Sequence, residues 1–505
     1  MRTMIADSLP VCLCLTGKTL AANLAALDEH RAYVDMVELR ADCLDPSEKF
    51  LIRSFPEKAG LPCILTVRRK SDGGCFVDGE GVRLVIIAKA LSFASSDASA
   101  NFAYADLESD FHMTTIEDAC RTFGTRIIRS ANYTKGMPED LDAAYGALIQ
   151  EDDEIPKLAV TPQSAAELSK LVAWVSGLPA RDRIVIGMGD YGFPTQVLAA
   201  RMGSLFYYTS LSGVGMPLAA PGQTSPESFI ETYRVKDTNA DSELYALLGD
   251  RRIMNSLSPS LHNSAFRSLK KDALLVPMPA ETIEEALENL KIFNANGAAI
   301  TIPHKEVVLP YLSFQSTDVQ RIGACNTLVA REEGGWAGYN TDADGFELSV
   351  LEFLQREDFK GMKVTLIGAG GAAKSVALSL FRKGAECVIL NRTTSIARAL
   401  ARKYGFIWGP LDDRAIDVVS RYSDLIVQAT SLGMKGGIDG DPLEFYEFDG
   451  HEKVYDLIYK PSITPLLARA AEAGCKTANG YTMLRYQAMG QYKLWMGETA
   501  PSDYY

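Results

Sequence analysis

A glycine-rich segment carries the clearest chemical signal in this sequence. The motif Gly368-x-Gly370-x-x-Ala373 follows a short apolar run and leads into a helix-like stretch at residues 372–381. Small residues let a backbone approach a pyrophosphate closely, and the unpaired N–H groups at the start of the following helix bind that anion. A tight turn in an ordinary βα unit is the alternative. The context predicts a dinucleotide site whose first contacts come from Gly368, Ala369, Gly370, Gly371, Ala372 and Ala373.

The end of the next predicted strand indicates which dinucleotide is bound. The run at residues 386–390 leads into Asn391-Arg392-Thr393, and not into the acidic residue that would bind a ribose 2′-hydroxyl. A carboxylate at this point would repel a 2′-phosphate, whereas a guanidinium pairs with it. A merely solvated Arg392 is the alternative. The pattern favours NADP(H) over NAD as the cofactor, with Asn391, Arg392 and Thr393 around its 2′-phosphate.

Eight short β-rich runs alternate with helix-like segments in the N-terminal part of the chain. We predict strands at residues 11–16, 34–40, 63–68, 102–108, 126–130, 157–161, 183–188 and 205–210. The intervening segments have helical periodicity, as at residues 164–174, where Ser164 supplies a start signal. Eight β/α units predict a closed parallel (β/α)8 TIM barrel, whose chemistry lies at the carboxyl ends of its strands. The residues to consider there are Glu38, Arg40, Arg68, Glu108, Asn132 and Lys157.

The rest of the chain predicts a two-lobed module, so the expected fold class is α/β throughout. A polar stretch with few apolar residues indicates a linker, and new βα rhythms begin after it and again near Lys363. We therefore predict five parts: the barrel at residues 1–234, the linker at 235–243, a substrate-binding lobe at 244–345, a Rossmann lobe at 346–482, and a C-terminal helix at 483–505 that returns to the substrate lobe.

Composition and charge narrow the possible functions. The chain has 505 residues, of which 47% are hydrophobic and 23% charged, and its formal net charge is -13. This charge opposes binding to nucleic acids or anionic membranes, and no apolar run reaches the roughly 18 residues of a membrane helix. The first 20 residues lack a secretion signal, so we expect a cytoplasmic protein. The nine cysteines form no CxxC pair, which predicts buried free thiols and no metal site.

Several polar motifs of the second module occur in a characteristic order. They read NSLSPSLHN at 255–263, GAAITIPHKE at 297–306, GACNT at 323–327, GYNTD at 338–342, QATSLGM at 428–434, DLIY at 456–459 and GYTML at 480–484. Together they resemble shikimate dehydrogenase, over nearly all of residues 245–495. The resemblance implies NADPH-dependent reduction of 3-dehydroshikimate to shikimate.

The resemblance also implies roles for individual residues. Lys305 and Asp342 would act on the reacting oxygen, with Lys305 as proton donor and acceptor and the carboxylate as its orienting partner. A surface lysine and a helix N-cap are the alternatives for these two residues. Ala299 stands where many family members have Asn or Ser, which leaves quinate open as a substrate. The implied substrate ligands are Ser256, Ser258, Thr301, Asn326, Tyr459 and Gln487, and the further cofactor contacts are Thr430, Leu457, Gly480 and Met483.

The barrel sequence resembles a second family. VELR at 37–40, TVR at 66–68, DGG at 72–74, KLAV at 157–160 and APGQ at 220–223 are similar to type I 3-dehydroquinate dehydratase. The resemblance implies that Lys157 forms an imine with the C3 ketone of 3-dehydroquinate. The ring and the lysine would be oriented by Glu38, Arg40, Arg68 and Gln223. A buried ion-pair network that closes the barrel is the alternative for these residues.

The barrel also departs from the dehydratase pattern. Asn132 replaces the acid/base His of a Ser-x-His pattern, and an amide cannot exchange a proton near neutral pH. Gln196 replaces a carboxylate-binding Arg, Ala219 replaces a Ser, and Asp72 stands where the family usually has Glu. His112 is the one barrel histidine placed to substitute, with an ordinary loop histidine as the alternative. Three outcomes stay open: an impaired dehydratase, altered imine chemistry on a related ring, or a scaffold.

The two resemblances together predict a bifunctional shikimate-pathway enzyme with NADP(H) as cofactor and small-molecule substrates. We expect neither a nucleic-acid nor a membrane partner, and the sequence leaves the oligomeric state open. One alternative is a quinate/shikimate dehydrogenase with a non-catalytic barrel, and another is a non-catalytic pathway sensor. The retained Lys305 and Asp342, and the lack of a basic DNA-binding segment, argue against a sensor.

Overall fold

The computed structural model describes residues 8–92, 95–213 and 216–501. The chain divides into two compact units, one made of Met1–Ala246 and Lys270–Ala295, the other of Leu247–Leu269 and Asn296–Tyr505. Residues 1–7 of the segment considered for targeting, and residues 502–505 of the predicted C-terminal part, lie outside the described residues. Within the described ranges, no helix combines the length and the apolar character that crossing a membrane requires. The five-part division stays a prediction.

Strands and helices alternate strictly through the barrel. Its elements are β1 (Val11–Leu15), α1 (Leu20–His30), β2 (Met36–Arg40), α2 (Phe55–Ala59), β3 (Cys63–Thr66), α3 (Glu80–Leu91), β4 (Tyr104–Glu108), α4 (Thr114–Thr122), β5 (Arg126–Tyr133), α5 (Leu141–Gly146), β6 (Ile155–Val160), α6 (Ala165–Ser176), β7 (Ile184–Gly187), α7 (Gly189–Val197) and β8 (Tyr207–Ser210). All eight predicted strands are present. The predicted helix after Ser164 is confirmed as α6, where the Ser164 side chain accepts the Glu167 N–H.

The eight strands form one parallel sheet with the order β7-β6-β5-β4-β3-β2-β1-β8. Its two end strands meet beside a parallel bridge between Arg183 and Ser204, where the Leu205 N–H donates to the Arg183 carbonyl at 3.0 Å. The curled sheet is thereby closed, which confirms the predicted barrel. Because the strands are parallel, their carboxyl ends and the polar residues there share one end of the barrel.

The strand sequences explain why the barrel strands are buried. β1 reads VCLCL and every residue in it is buried, as are all residues of β2, β3, β6 and β8. Continuous apolar runs of this kind are typical of parallel strands covered on both faces. Polar residues on the same strands are buried with them, and Glu38, Arg40 and Lys157 are each 4–5% exposed. Each of these charges therefore needs a partner.

The chain continues through a second sheet and its helices. The elements are β9 (Glu243–Gly249), α8 (Ser258–Ser268), β10 (Ala273–Pro279), α9 (Ile283–Ile292), β11 (Gly297–Ile300), α10 (His304–Val307), β12 (Leu312–Gln315), α11 (Thr317–Ile322), β13 (Thr327–Ala330), β14 (Trp336–Tyr339) and α12 (Asp342–Leu354). The strand order is β10-β9-β11-β13-β14-β12. β13 pairs antiparallel with both β11 and β14, whereas β12 pairs parallel with β14, so this sheet is mixed.

The third sheet is the nucleotide-binding part expected from the glycine motif. It contains β15 (Lys363–Ile367), α13 (Gly371–Arg382), β16 (Glu386–Asn391), α14 (Thr394–Tyr404), β17 (Ile407–Pro410), α15 (Ile416–Arg421), β18 (Leu425–Gln428), β19 (Lys453–Asp456), α16 (Pro465–Glu472), β20 (Lys476–Ala478) and α17 (Tyr481–Met496). All its strands are parallel, in the order β17-β16-β15-β18-β19-β20. The order reverses between β15 and β18, and such a reversal opens a ligand crevice at the carboxyl ends of the strands.

Helices α12 and α17 approach each other closely at Gly345. A Cβ atom at this position would lie 2.9 Å from the Gln487 nitrogen and 3.1 Å from the Met483 carbonyl oxygen. Asp342 is the first residue of α12, and Gln487 lies on α17. The short approach of the two helices therefore fixes the separation of two predicted site residues.

The contact between Gly187, at the end of β7, and Gly192, in α7, predicts a steric limit on the barrel. A Cβ at Gly192 would lie 2.3 Å from the Gly187 carbonyl carbon. We expect Gly192→Ala to lower the free energy of unfolding by about 1–3 kcal/mol in urea denaturation, because the added methyl overpacks this contact. Gly146→Ala is the matched control, since nothing lies within 4 Å of a Cβ there. Equal stability of the two variants would contradict the steric explanation.

Candidate functional site

Lys157 stands at the centre of a buried ion cluster in the barrel. Its Nζ lies 2.9 Å from Asp106 Oδ2 and 4.0 Å from Glu38 Oε1. Asp106 also receives Arg68 Nη2 at 2.8 Å and the Ser130 hydroxyl at 2.5 Å. Parallel register brings these groups together, because Ser130 on β5 lies opposite Lys157 on β6. The structure thus brings together three of the predicted barrel residues, Glu38, Arg68 and Lys157.

The ion cluster sets the resting charge of the lysine. Burial lowers the pKa of Lys157, but Asp106 and Glu38 outweigh it, so its pKa lies above the ordinary value. Burial raises the pKa of both acids. Arg68 and Lys157 nevertheless lower the pKa of Asp106 below its ordinary value, and Lys157 and Arg40 do the same at Glu38. Lys157 therefore rests as an ammonium group. It must pass its proton to another group before it can attack a carbonyl carbon.

Four buried polar atoms around this cluster have no hydrogen-bond partner within the described protein. They are Arg68 Nη1, Asn132 Nδ2, Tyr208 Oη and Gln223 Oε1. Lys157 Nζ lies 4.5 Å from the centroid of the Tyr208 ring, and Gln223 Nε2 lies 4.0 Å from Cys14 Sγ, whose thiol donates to Glu38 at 3.0 Å. An unsatisfied buried polar atom costs about 1–3 kcal/mol, so such a group of donors and acceptors fits a polar ligand.

Other predicted barrel residues are engaged elsewhere. Arg40 donates to both oxygens of Asp42, at 3.0 and 2.9 Å, and to the Ala219 carbonyl. Glu108 pairs with Arg83. Gln196, which the sequence comparison with the dehydratase pattern placed at a carboxylate-binding position, is buried and donates to the Gly187 carbonyl at 2.8 Å, so its side chain closes the turn after β7. His112 is exposed on the loop after β4.

Lys305 and Asp342 form the centre of a second cluster, in the other unit. Lys305 Nζ lies 2.6 Å from Asp342 Oδ2, with side chains 15% and 5% exposed. Asn326 Nδ2 donates to the other carboxylate oxygen, Oδ1, at 2.9 Å. It also contacts the Gln487 side-chain oxygen at 3.0 Å. Four of the predicted residues thus share one hydrogen-bonded cluster.

Asn340, two residues before the helix that begins at Asp342, accepts the first backbone N–H groups of that helix. Asn340 Oδ1 accepts the N–H groups of Asp342 and Ala343, at 3.1 and 3.4 Å, and the Ser375 hydroxyl at 3.3 Å. Its side-chain nitrogen donates to the Ala324 carbonyl. Ser375 lies on α13, directly after the glycine turn. Asn340 therefore connects the carboxylate helix to the nucleotide-binding helix.

The glycine turn lies close to Lys305. A Cβ built on Gly371 would lie 3.6 Å from Lys305 Cβ and 3.7 Å from its Cδ. Gly368 has φ +107°, which favours glycine, and a Cβ there would contact Ala429 and Thr430. A Cβ on Gly370 would meet open space, and the backbone N–H groups of α13 begin beside it. Small residues, free space and a helix N-terminus fit the pyrophosphate of NADP(H).

An ion pair beside this turn was not foreseen from the sequence. Lys374, on α13, lies 2.6 Å from Glu306, the neighbour of Lys305. Glu306 Oε1 would also lie 3.9 Å from a Cβ at Gly371. The Lys305-Glu306 dipeptide therefore presents one charge to Asp342 and the opposite charge to the nucleotide helix.

The predicted carboxylate-binding serines lie at the start of α8. The Ser258 N–H donates to Ser256 Oγ at 3.1 Å, and the two hydroxyl oxygens are 3.2 Å apart. Lys460, next to Tyr459, donates to the Asn255 carbonyl at 3.2 Å, which brings the tyrosine loop near the serines. The Thr301 backbone N–H donates to the Leu248 carbonyl at the carboxyl end of β9. These hydroxyl groups match a polyhydroxylated acid.

The remaining predicted cofactor residues border the third sheet. Arg392 and Thr393 are exposed after β16, and Asn391 Nδ2 donates to the Thr393 carbonyl. A Cβ at Gly480 would lie 2.0 Å from the Leu457 carbonyl oxygen, which excludes larger side chains. Thr430 lies in the turn after β18. Met483 and Ala369 are buried in the hydrophobic core of the third sheet.

Two groups outside the predicted set contribute to the barrel cluster. Asp106 lies two residues before Glu108 on β4, and the strand alternation could have assigned both to one face. Tyr208 occupies β8, whose polar residues received no role from the sequence. Only the register of β4, β6 and β8 reveals that both side chains contact Lys157.

Three family models match successive parts of the chain. The type I 3-dehydroquinase model matches residues 11–240. The model of the shikimate dehydrogenase substrate binding domain matches residues 247–328, and that of shikimate / quinate 5-dehydrogenase matches residues 352–433.

Known proteins resemble the chain in the same order. It is 27% identical over 496 residues to the bifunctional 3-dehydroquinate dehydratase/shikimate dehydrogenase, chloroplastic, of Arabidopsis thaliana, covering 94% of this chain and 80% of that protein. It is 36% identical over 272 residues to a shikimate dehydrogenase (NADP(+)) of Caldanaerobacter subterraneus, covering 53% and 96%. The solved shikimate 5-dehydrogenase of Thermus thermophilus, in complex with NADP(H) and shikimate, is 32% identical, covering 52% and 96%, with a TM-score of 0.45.

Asp456 at the end of β19 predicts a pH dependence of stability. Burial raises its pKa from 3.8 to about 6, although the Ile458 N–H and the Thr464 hydroxyl donate to it. The folded state therefore binds this proton more tightly, so its contribution to stability is present below about pH 4 and is lost as the pH rises through about 6. We expect Asp456→Asn to remove about 2–3 kcal/mol of this pH-dependent change in the free energy of unfolding, measured by urea denaturation. Exposed Asp413→Asn is the control, and an unchanged pH profile in Asp456→Asn would contradict the assignment.

Proposed function

The chain belongs to the shikimate dehydrogenase family and carries a type I 3-dehydroquinase domain ahead of that module, and from this membership we propose how its two sites act. The second site reduces 3-dehydroshikimate to shikimate with NADPH. The first binds 3-dehydroquinate and forms an imine with it, but dehydrates it slowly. Both are steps of one bifunctional shikimate-pathway enzyme. The 2.6 Å contact of Lys305 with Asp342 beside the glycine turn carries the assignment of the dehydrogenase site.

Lys305 acts on the substrate oxygen. NADPH, when bound at the glycine turn, supplies the hydride. Lys305 donates a proton to the C3 oxygen as the carbonyl becomes an alcohol, and takes it back in the reverse direction. Asp342 holds the ammonium group in place, and Asn326 fixes the carboxylate through its second oxygen. This arrangement fixes the position from which Lys305 donates its proton in the crevice.

Hydroxyl and amide groups account for substrate recognition. Ser256 and Ser258 bind the ring carboxylate, with Tyr459 assisting from the neighbouring loop. Thr301 and Gln487 bind ring hydroxyls. The side chains supply neutral donors and acceptors, which suits a substrate whose only charge is its carboxylate. Arg392 with Asn391 and Thr393 contacts the 2′-phosphate of the cofactor, because a guanidinium pairs with phosphate.

The barrel retains the imine chemistry without its proton exchanger. The Lys157 amine adds to the C3 ketone and releases water, and the imine then withdraws electrons from C2, so that the C2 proton leaves and the C1 hydroxyl departs. Each step needs a group that takes up and returns a proton. Asn132 cannot do so. The unpartnered atoms of Arg68, Asn132, Tyr208 and Gln223 support ligand binding.

Two alternatives from the sequence keep specific tests. Ala299 is buried on β11, opposite Thr327, and supplies no ring contact, which favours testing quinate. Steady-state rates with shikimate and quinate, each with NADP and NAD, separate the two activities. The paired Lys305 and Asp342 favour an enzyme over a sensor. We also propose a cytoplasmic location, because nine free cysteines suit a reducing compartment.

Lys305→Ala is expected to lower dehydrogenase kcat by roughly 10²-fold or more, with a smaller effect on the KM for shikimate, because the variant loses positioned acid/base help. Steady-state kinetics across pH measure both parameters. Lys360→Ala, at a side chain 80% exposed, is the control and should retain full turnover. Near-normal turnover of Lys305→Ala would exclude the role.

Borohydride reduction tests the barrel assignment. With 3-dehydroquinate present, peptide mass spectrometry should find the reduced ligand on Lys157, and Lys157→Arg should abolish the label while keeping the charge.

Asn132→His should raise dehydration by about 10²-fold by restoring proton exchange. The double variant Asn132→His/Lys157→Arg should gain nothing. An unlabelled Lys157 at saturating ligand would favour the scaffold alternative.

A further inference from the structure

Two cysteines meet at the carboxyl end of the barrel. Cys43 follows β2, and Cys75 lies in the loop between β3 and α3. The Cys43 thiol points at Cys75, with 3.3 Å between the two sulfur atoms. Cys43 is half-buried, Cys75 is exposed, and the other seven cysteines are buried. The expectation of buried thiols is therefore wrong for this pair, because both residues lie on loops at the barrel rim.

One buried carboxylate holds both cysteines in place. Asp42 precedes Cys43 in the chain, and its Oδ2 accepts the Cys75 N–H at 2.9 Å. The same carboxylate is fixed by two hydrogen bonds from Arg40. The positions of both sulfur atoms thus depend on a single anchored group, although the two residues are 32 positions apart in the chain.

The loop on the Cys75 side is also constrained. A Cβ at Gly74 would lie 2.2 Å from the Arg68 carbonyl oxygen, so the backbone passes directly over Arg68. The Phe76 N–H donates to the same carbonyl at 3.2 Å, and the Phe76 side chain is buried. Cys75 is therefore held between two fixed neighbours, with its side chain at the surface.

We propose that Cys43 and Cys75 are a redox-active dithiol, a modification site that a small-molecule disulfide such as oxidised glutathione converts to an intramolecular disulfide. The exposed Cys75 meets the oxidant first. Burial, together with the Asp42 carboxylate, raises the pKa of Cys43, so its thiolate is disfavoured. Cys43 is accordingly the resolving thiol, which acts only on a sulfur held beside it.

The reaction consists of two thiol–disulfide exchanges. Cys75 sulfur attacks the glutathione disulfide, a bond to one glutathionyl sulfur forms, and the other glutathione leaves as a thiol with the Cys75 proton. Cys43 sulfur then attacks Cys75 sulfur, the mixed disulfide breaks, and the second glutathione leaves with the Cys43 proton. Two electrons pass from the cysteines to the oxidant, which is reduced to two thiols.

A bound metal ion fits this cluster less well. Asp42, Cys43 and Cys75 place three ligand atoms within 4.8 Å of one another. The Asp42 oxygens, however, already accept two hydrogen bonds from Arg40 and one from the Cys75 backbone. A cation at this point would also lie beside the buried Arg40 guanidinium, whose positive charge repels it. Oxidation of the thiols leaves all three hydrogen bonds in place.

The disulfide would brace a loop that borders the Lys157 cluster. It joins the turn after β2 to the segment that carries Arg69, Lys70 and Asp72, which runs directly from Arg68. Lys70 is exposed, so trypsin can report the mobility of this loop. A cross-link reduces the local opening that proteolysis requires.

The experiment treats the full-length protein with oxidised glutathione and maps its disulfides by peptide mass spectrometry. We expect a Cys43–Cys75 cross-link, with the loss of two hydrogen atoms, reversed by dithiothreitol. Native-state cleavage after Lys70 should slow at least about fivefold in the oxidised protein. This mapping uses the unmodified sequence and does not depend on the folding of any variant.

Two single variants separate the cross-link from simple modification. Cys43→Ser should carry one glutathione on Cys75 and keep the cleavage rate of the reduced protein. Cys75→Ser should leave the half-buried Cys43 largely unmodified. A wild-type protein that carries glutathione on Cys75 without the cross-link overturns the proposal, and so does one that stays fully reduced. Unchanged cleavage after Lys70 in the cross-linked protein overturns the bracing role.

Discussion

A buried carboxylate paired with a lysine is the interaction around which both predicted sites are built. Burial of an isolated anion is unfavourable, so each carboxylate needs cations or donors on every side. Asp106 has Lys157, Arg68 and Ser130, and Asp342 has Lys305 and Asn326. In each case the lysine that we propose as functional is one of the groups that offset the cost of burying the carboxylate. Structural and chemical requirements therefore fall on the same side chains.

The two lysines nevertheless work in different surroundings. Lys157 is enclosed by three charged groups and an aromatic ring, whereas Lys305 has one carboxylate and a crevice that adjoins the glycine turn. An amine that attacks carbon must first be deprotonated, but an ammonium group that protonates oxygen is already in its working state. On the proposed mechanism, the dehydrogenase site therefore needs no further proton exchanger. The proposed barrel chemistry depends on a proton acceptor that Asn132 does not provide.

The local sequence pattern was sufficient to predict the fold, but it was not sufficient to predict which side chains pair with one another. The eight barrel strands and the helix after Ser164 follow from apolar runs and a capping residue, which act over a few positions. Strand ends differ because pairing decides them: β5 continues to Tyr133 and β6 begins at Ile155, since the two strands hydrogen-bond over this length. The pairs Arg40–Asp42, Glu108–Arg83 and Lys157–Asp106 depend on register and side-chain direction. Motif resemblance anticipated the contact of Lys305 with Asp342, yet it had no means of finding Lys374 opposite Glu306.

The close approach of α12 and α17 at Gly345 has a consequence for how this enzyme can change. Any side chain at that position would wedge the two helices apart and tilt the first turn of α12, and Asp342 would move with it. Gly345 thus sets the position of Asp342, which holds Lys305 in the proposed proton transfer. Adaptation or engineering of the turnover rate can therefore act at Gly345, in the first turn of α12, where the only side chain that fits is a hydrogen atom.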